Sequence, residues 1–237
     1  GSTAGAFLVL SENPLYPIST YQTLEKDPIS TITNNLSKIS ADEGAAVQVI
    51  IRPLSKLNFR KKGEKVLTKI REGKQVREAV SDFGSSWLKK ILEFIFEIFI
   101  NKSPEDIKKD ISDPNKKKEI QIDQKSYEAI QNKIQKQPFE TNIRVMASAQ
   151  TLGRAEEILN HLIDAFNQFS LSAINSLAPK EVYKKDLKKL IYDYSFRNFN
   201  QSHASILNLE ELASVYHFPT HFIETPYIKA AKSGSAA

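Results

Sequence analysis

Residues 139–170, FETNIRVMASAQTLGRAEEILNHLIDAFNQFS, place a strand directly before an amphipathic helix, and this pairing decides the fold class. In the first part Ile143, Val145 and Ala147 alternate with polar or longer side chains, which is the period of a half-buried strand. Thr151 can cap the helix that follows. That helix carries one unbroken apolar stripe, typical of a helix packed on a sheet: Ala155, Ile158, Leu159, Leu162, Ile163, Phe166 and Phe169.

Strands and helices also alternate on both sides of this stretch. Upstream, an apolar strand at 6–10 and a β-branched strand at 45–54 flank a helix that starts at Pro28, with Asp27 as its cap. Before the quoted stretch, residues 123–137 have helical spacing. After it we expect a strand at 171–177, a helix at 180–194, a strand at 203–208, and a helix opened by a capping box of Asn208 and Glu211.

This order predicts an α+β fold made of βαβ units, and we favour ferredoxin-like halves with a helical insertion. Residues 6–55 form the first half and residues 121–229 the second. Residues 56–120 form the insertion, which contains a basic segment expected to be helical over 60–80, an apolar helix and a charged connector. The terminal sequences GSTAG and SGSAA resemble linker remnants, so we leave them out of the fold and expect a fragment of a longer protein.

The apolar helix at residues 87–100 is the most unusual segment of the insertion. Its charges lie along one narrow stripe, so most of its surface must be buried or must contact something other than water. A helix of this length spans about 21 Å, too short for a bilayer core of about 30 Å. Three interpretations stay open: a core helix, a docking helix for another subunit or a membrane component, and a helix in the membrane interface. The contact residues in the last two are Trp87, Leu88, Ile91, Leu92, Phe94, Ile95, Phe96, Ile98 and Phe99.

A basic patch precedes the apolar helix. Residues 56–77 hold nine Lys or Arg against Glu64 and Glu72, and the whole chain has a net charge of +5. Such a patch can contact nucleic-acid phosphates or anionic lipid headgroups, or it can be an ordinary solvated helix face. Its candidate anion contacts are Arg60, Lys61, Lys62, Lys65, Lys69 and Arg71.

Composition narrows the class of protein. The chain has no cysteine, which removes disulfides and thiolate metal sites, and its 41% hydrophobic content is enough for a proper core. No apolar run approaches the roughly 20 residues that span a bilayer. We therefore expect a cytoplasmic protein, peripheral at the inner face of the membrane if it meets the membrane at all.

The sequence carries no pattern that predicts catalysis. It lacks a phosphate-binding G-x-x-x-x-G-K-[ST] loop, and its paired carboxylates sit at adjacent helical positions, which point about 100° apart. His217 and His221 have the spacing of two zinc ligands on a helix, with His203 as a third candidate. Because Pro219 interrupts that helix, a structural role is favoured. We expect no enzyme activity, metal or cofactor in this chain.

An aromatic group near the second half has two interpretations. Tyr192, Tyr194, Phe196 and Phe199, together with Arg197, can stack on the bases of a single strand. They adjoin an apolar helix, so packing in the core is the favoured interpretation.

Three stretches together resemble a known family. They are residues 27–54 (DPISTITNNLSKISADEGAAVQVIIRPL), residues 140–170 of the opening stretch, and residues 206–229 (ILNLEELASVYHFPTHFIETPYIK). They resemble the N-terminal portion of conjugative, type IV secretion-associated DNA-transfer ATPases of the HerA/FtsK superfamily. The most specific element is ILN-x-EELA-x-x-YHFP followed by ETP, which in that family lies just before the ATPase core.

The resemblance implies an N-terminal domain that precedes the motor. Together with the apolar helix and the basic segment, it leads us to expect a non-catalytic assembly or docking domain that positions the motor and contacts other subunits or the membrane. The family's nucleotide-binding residues have no counterpart here, so none is carried over. The alternative is a nucleic-acid-binding module that uses the basic segment 56–77. Implied partners are other secretion-machine subunits or a second copy, an anionic membrane surface, and DNA.

Overall fold

The computed structural model describes residues 1–24, 27–81, 83, 124–172 and 174–217. Its strands are β1 (Ser2–Leu10), β2 (Gly44–Pro53), β3 (Pro138–Ala149), β4 (Leu177–Glu181) and β5 (Ser205–Asn208). Its helices are α1 (Pro28–Leu36), α2 (Lys56–Arg71), α3 (Gln124–Gln135), α4 (Leu152–Asp164), α5 (Lys184–Ser195) and α6 (Leu209–Val215). Short 3-10 segments follow at Ala165–Phe169 and Gln201–His203, and residues 76–81 are also helical.

The strands form one antiparallel sheet in the order β2-β3-β1-β4, and β5 pairs with the first residues of β3. Since β1 and β2 both run antiparallel to β3, they are parallel to each other and joined through α1. By the same reasoning β3 and β4 are parallel and joined through α4. In each βαβ unit, one strand of the other unit therefore lies between the two parallel strands: β3 lies between β2 and β1, and β1 lies between β3 and β4. This is the ferredoxin-like arrangement. The predicted α+β class is confirmed.

Helices cover both faces of this sheet. α1 and α4 lie on one face and bury the apolar stripe predicted from residues 155–169, together with Leu8, Ile143 and Val145 from the strands. On the other face Leu187 and Leu190 of α5 pack against Phe7. Alternate residues of β3, including Asn142 and Arg144, are therefore buried as well. The strand is covered on both faces, whereas its alternating sequence suggested one.

Three expectations about element positions were wrong. Ser2–Gly5 are not linker: they extend β1 and pair with Met146–Ala149, and Ala4 is buried. The strand expected at 171–177 begins only at Leu177, and the helix expected at 180–194 begins only at Lys184. Leu171 and Asn175 form an isolated bridge instead, and the buried Asn175 side chain accepts hydrogen bonds from the Ser176 and Glu12 backbone amides and donates to the Tyr16 carbonyl.

A second, smaller core lies beside the sheet. The basic region expected to be helical from 60 to 80 is two helices, because the chain turns at Gly73, whose φ is 102°. α2, α3 and the helical residues 76–81 bury a common set of side chains: Leu15, Phe59, Val66, Leu67, Ile70, Ala79, Val80, Tyr127, Ile130 and Ile134. This core fixes α2 relative to the sheet.

Candidate functional site

α2 carries the predicted basic patch on a helix that is closely packed on its other side. Ser55 begins the helix, since its hydroxyl accepts a hydrogen bond from the Asn58 amide at 3.4 Å. At Gly63 the helix touches α3: a Cβ there would come within 2.5 Å of Ile134 Cγ2. Because Gly63 has no side chain, α2 and α3 can pack closely at this point. The opposite face of α2 is exposed to solvent.

The structure brings the six predicted anion contacts together on that solvent-facing side, where all are exposed except the half-buried Lys69. Arg60 is engaged by Glu64, with Nε 2.7 Å from Oε1, and the Arg71 guanidinium lies 5.4 Å from the Tyr127 ring centroid. The central group is Lys61, Lys62 and Lys65, and these three form no ion pair with the described residues. We call them the α2 lysine group.

A cavity of about 690 Å³ lies between α2 and the strand ends, and sequence reasoning did not find it. Its apolar lining includes Val9, Phe59 and Ile206, and Lys62 and Lys180 contribute the cationic groups. The cavity therefore reaches from the basic helix across to β4. The sequence contains no signal for this cavity, because its walls come from segments far apart in the chain.

His203 lines this cavity but does not lie among other metal ligands. Its ring stacks on Phe7 with centroids 4.1 Å apart and planes 9° apart, and its Nδ1 lies 3.2 Å from Asn200 Oδ1. Burial lowers the pKa of His203, and the charge of Asp186 opposes that shift. Both contacts hold the ring in place, so its role here is structural.

The other two histidines of the possible zinc site do not join His203. His217 lies on the α1 side of the sheet, with Nε2 2.9 Å from Asp27 Oδ1, and His221 lies outside the described residues. Among the described residues no group of three or more His, Asp or Glu is placed to hold a metal ion.

The aromatic residues near α5 are arranged differently from the core interpretation, which is wrong for two of them. Tyr192 is 58% exposed and Phe196 is 65% exposed. Tyr194 and Phe199 are half-buried, and the Arg52 guanidinium lies 3.8 Å from the Phe199 ring centroid. The helical spacing of Tyr192 and Phe196 with the preceding lysines is the sequence signal that would have placed them on the outside.

The predicted contact helix at 87–100, with its nine contact residues from Trp87 to Phe99, lies outside the described residues. Phe83 lies within the described residues and lines the cavity. Its ring makes an edge-to-face contact with the Phe59 ring, with the two centroids 5.8 Å apart. Within the described ranges no helix is both long and apolar enough to cross a membrane.

Comparison with protein families places this chain in one of them. The model of a domain of unknown function (DUF8128) matches residues 1–231, and the chain belongs to that family. Neither the curated proteins nor the solved structures give a match.

Proposed function

We propose that this DUF8128 domain is a docking module, which works by presenting surfaces to neighbouring molecules and transforms no substrate itself. In this proposal it is the N-terminal assembly domain of a type IV secretion or conjugative DNA-transfer ATPase at the cytoplasmic face of the membrane. The observation that carries the proposal is the α2 lysine group, displayed on a helix whose other side is fixed in the second core.

The packing of α2 suits it to recognition. Phe59, Val66 and Ile70 anchor the helix, and the close contact at Gly63 leaves α3 no room to slide. Charges on such a helix are held in place before a partner arrives, so binding requires less ordering of the surface. A cluster of lysines that form no ion pair with the described residues favours an anionic partner.

The residues that carry the family resemblance support a shared fold more directly than they support any particular binding partner. Residues 27–54 form α1 and β2, and residues 140–170 form β3 and α4. The ILN-x-EELA element forms β5 and α6, where Leu207, Glu211 and Leu212 are buried. These positions build the domain, so the resemblance supports a shared fold, and the role in assembly is the step that needs testing.

The docking proposal is tested by comparing the chain with a variant lacking residues 85–101 and with K61E/K62E/K65E. Light scattering measures the oligomeric state, and co-sedimentation with vesicles of phosphatidylglycerol or phosphatidylcholine measures lipid binding. We expect each variant to reduce self-association or binding to the anionic vesicles while circular dichroism stays unchanged.

A charge control separates the surface from the net charge. The variant K38E/K74E/K125E changes the same number of exposed lysines outside α2 and should behave as the original chain does. If K61E/K62E/K65E changes neither association nor binding to anionic vesicles, this docking proposal fails. If the deletion unfolds the protein, residues 85–101 belong to the core.

A second candidate function is nucleic-acid binding through α2, and the same three lysines favour it. Duplex DNA binding followed by fluorescence anisotropy should weaken as salt rises, with a log–log slope of about −0.9 per phosphate contact. K61E/K62E/K65E should therefore make the slope shallower by about 2.7. Absence of binding at low salt would eliminate this candidate.

A further inference from the structure

One side of α5 carries an exposed row of cationic and aromatic side chains. Lys185, Lys188, Lys189, Tyr192 and Phe196 follow one another at spacings of 3, 4, 7 and 11 residues from the first, which places them on one side of a helix. All five are exposed. We call this row the α5 face.

The two rings of the α5 face are not needed for packing. The helix already buries Leu190 and partly buries Leu187 against Phe7 on the sheet. Tyr192 and Phe196 stand on the outside, with centroids 4.7 Å apart and planes tilted by 45°. The two neighbouring rings together form a small exposed apolar patch, which is a surface suited to contact with a flat ligand.

The end of α5 that carries these rings is held rigidly on the sheet. Arg144 Nη1 on β3 donates to the Asp193 carbonyl at 3.0 Å, and Gln48 Nε2 on β2 donates to the Tyr194 carbonyl at 3.1 Å. Side chains built on an element fixed in this way keep a defined geometry, as a recognition surface requires.

Arg197 directly follows Phe196, just beyond the helix, and it is exposed with an unusual backbone conformation. The helix ends in a Schellman motif, with the Asn198 amide bonded to the Asp193 carbonyl and the Arg197 amide bonded to the Tyr194 carbonyl. The position of Arg197, with φ 55°, is one where glycine is the usual residue. An exposed arginine therefore directly follows Phe196 in the chain, in a conformation that costs some backbone strain.

The charges of the α5 face are largely available to a ligand. Lys189 pairs with Asp193 at 3.2 Å, whereas Lys185, Lys188 and Arg197 form no ion pair with the described residues. The surface thus offers two rings beside three free cations. Aromatic rings stack on unpaired bases, and cations follow a phosphate backbone.

We infer that the α5 face binds single-stranded nucleic acid, with bases stacked on Tyr192 and Phe196 and phosphates contacted by Lys185, Lys188 and Arg197. A duplex fits less well, because its bases are stacked on each other and present only their edges. A membrane also fits less well, because the main apolar side of α5 is already buried on the sheet. This inference uses none of the α2 residues, so it stands apart from the docking proposal.

The test measures fluorescence anisotropy of a labelled oligothymidine of about 12 nucleotides, within the site size of known single-strand binders. We expect Y192A/F196A to weaken binding at least about tenfold, since loss of stacking has effects of that order for each base. The matched control is Tyr21→Ala, which removes a tyrosine that is 52% exposed outside α5, and it should leave binding unchanged.

Arg197→Gly gives a second readout that a merely structural role would not produce. Glycine relieves the positive φ, so the thermal midpoint should stay the same or rise, while the affinity for the oligonucleotide falls several-fold. K61E/K62E/K65E should leave this binding intact, which separates the α5 face from α2.

Four outcomes would overturn the inference. The first is an absence of oligonucleotide binding at low salt, and the second is binding that Y192A/F196A does not weaken. The third is binding that is lost in K61E/K62E/K65E alone, which assigns it to α2. The fourth is an effect of Y192A/F196A on vesicle binding only, which assigns the rings to a membrane surface.

Discussion

Lys133 Nζ lies 3.1 Å from Glu211 Oε1, and both side chains are completely buried where α3 meets the start of α6. Lys133 also donates to the Tyr16 carbonyl at 3.1 Å. Glu211 accepts from the Ile18 amide at 2.9 Å and closes the capping box with Asn208. Burial lowers the pKa of Lys133, and the charge of Glu211 opposes that shift. The pair thereby connects α3, the loop after β1 and α6.

Lys133→Met should destabilise the fold by about 3–5 kcal/mol, because it leaves the Glu211 carboxylate buried without its counter-charge. Glu211→Gln should also destabilise, whereas K133M/E211Q should lose much less than the sum of the two single changes. Urea unfolding of the four proteins measures this coupling. Strictly additive single effects would show that the two groups do not interact.

Gly63→Ala should destabilise by about 1–3 kcal/mol, although alanine is the better helix former, because the new Cβ would overlap Ile134 Cγ2. The matched control is Gly153→Ala in α4, where an added Cβ meets nothing within 4 Å. Thermal unfolding of both variants measures the difference. A stabilised Gly63→Ala would mean that α2 and α3 can move apart without loss.

The α+β class and most helices and strands could be predicted because they depend on local patterns. The Asp27 and Thr151 caps and the capping box of Asn208 and Glu211 all form as expected. Each involves neighbours within three residues, so the sequence contains the whole interaction. The sequence predicts a strand at 171–177, but the strand begins only at Leu177. This start could not be predicted, because Asn175 bonds to residues more than 150 positions away.

The candidate sites divide in the same way. The α2 lysines could be predicted, since helical spacing and charge are visible in the sequence. The 690 Å³ cavity could not, because its walls meet only in the folded chain. The sequence favours a core position for Tyr192, because an aromatic beside Leu190 and Ile191 usually packs inward. Only the position of the sheet decides which side of α5 is covered.

The ion pair of Glu43 and Arg154 should make stability fall in acid. Arg154 Nε lies 2.6 Å from Glu43 Oε1 and, with the Ser40 amide, lowers the pKa of Glu43 from 4.5 to about 2. A carboxyl with a lowered folded-state pKa stabilises the fold above its unfolded value, and this contribution disappears as the pH falls from 4.5 towards about 2. Arg154→Met should therefore flatten the dependence of the free energy of unfolding on pH in that window.

Glu43→Gln supplies the internal control for this prediction, because it removes the titrating group itself. It should flatten the same part of the pH profile, and adding Arg154→Met to it should change the slope no further. Chemical denaturation at a series of pH values measures all three variants. A slope that Arg154→Met leaves as steep as in the original chain would contradict the assignment to Glu43.

Arg144→Met should destabilise by about 3 kcal/mol, because three acceptors, of which the Asp193 carbonyl is in a fully buried hydrogen bond, share this one buried guanidinium. Nη1 donates to Gln48 Oε1 and to the Asp193 carbonyl, and Nη2 donates to the Asn198 carbonyl. Burial lowers the pKa of Arg144, and the charge of Asp193 opposes that shift. Met146→Leu, on the same face of β3, conserves volume and should change stability by less than about 1.5 kcal/mol.

Arg144→Met should also loosen the C-terminal end of α5, while the sheet itself stays folded. Amide hydrogen exchange should therefore speed up at Phe196, Arg197 and Asn198, whose amides bond to the last carbonyls of the helix. The amides of β1 that pair with β3 should stay protected, since α4 covers them from the other face. Uniformly faster exchange through β1 and β3 would instead show that Arg144 holds the whole sheet together, and equal protection at residues 196–198 would show that α5 does not depend on it.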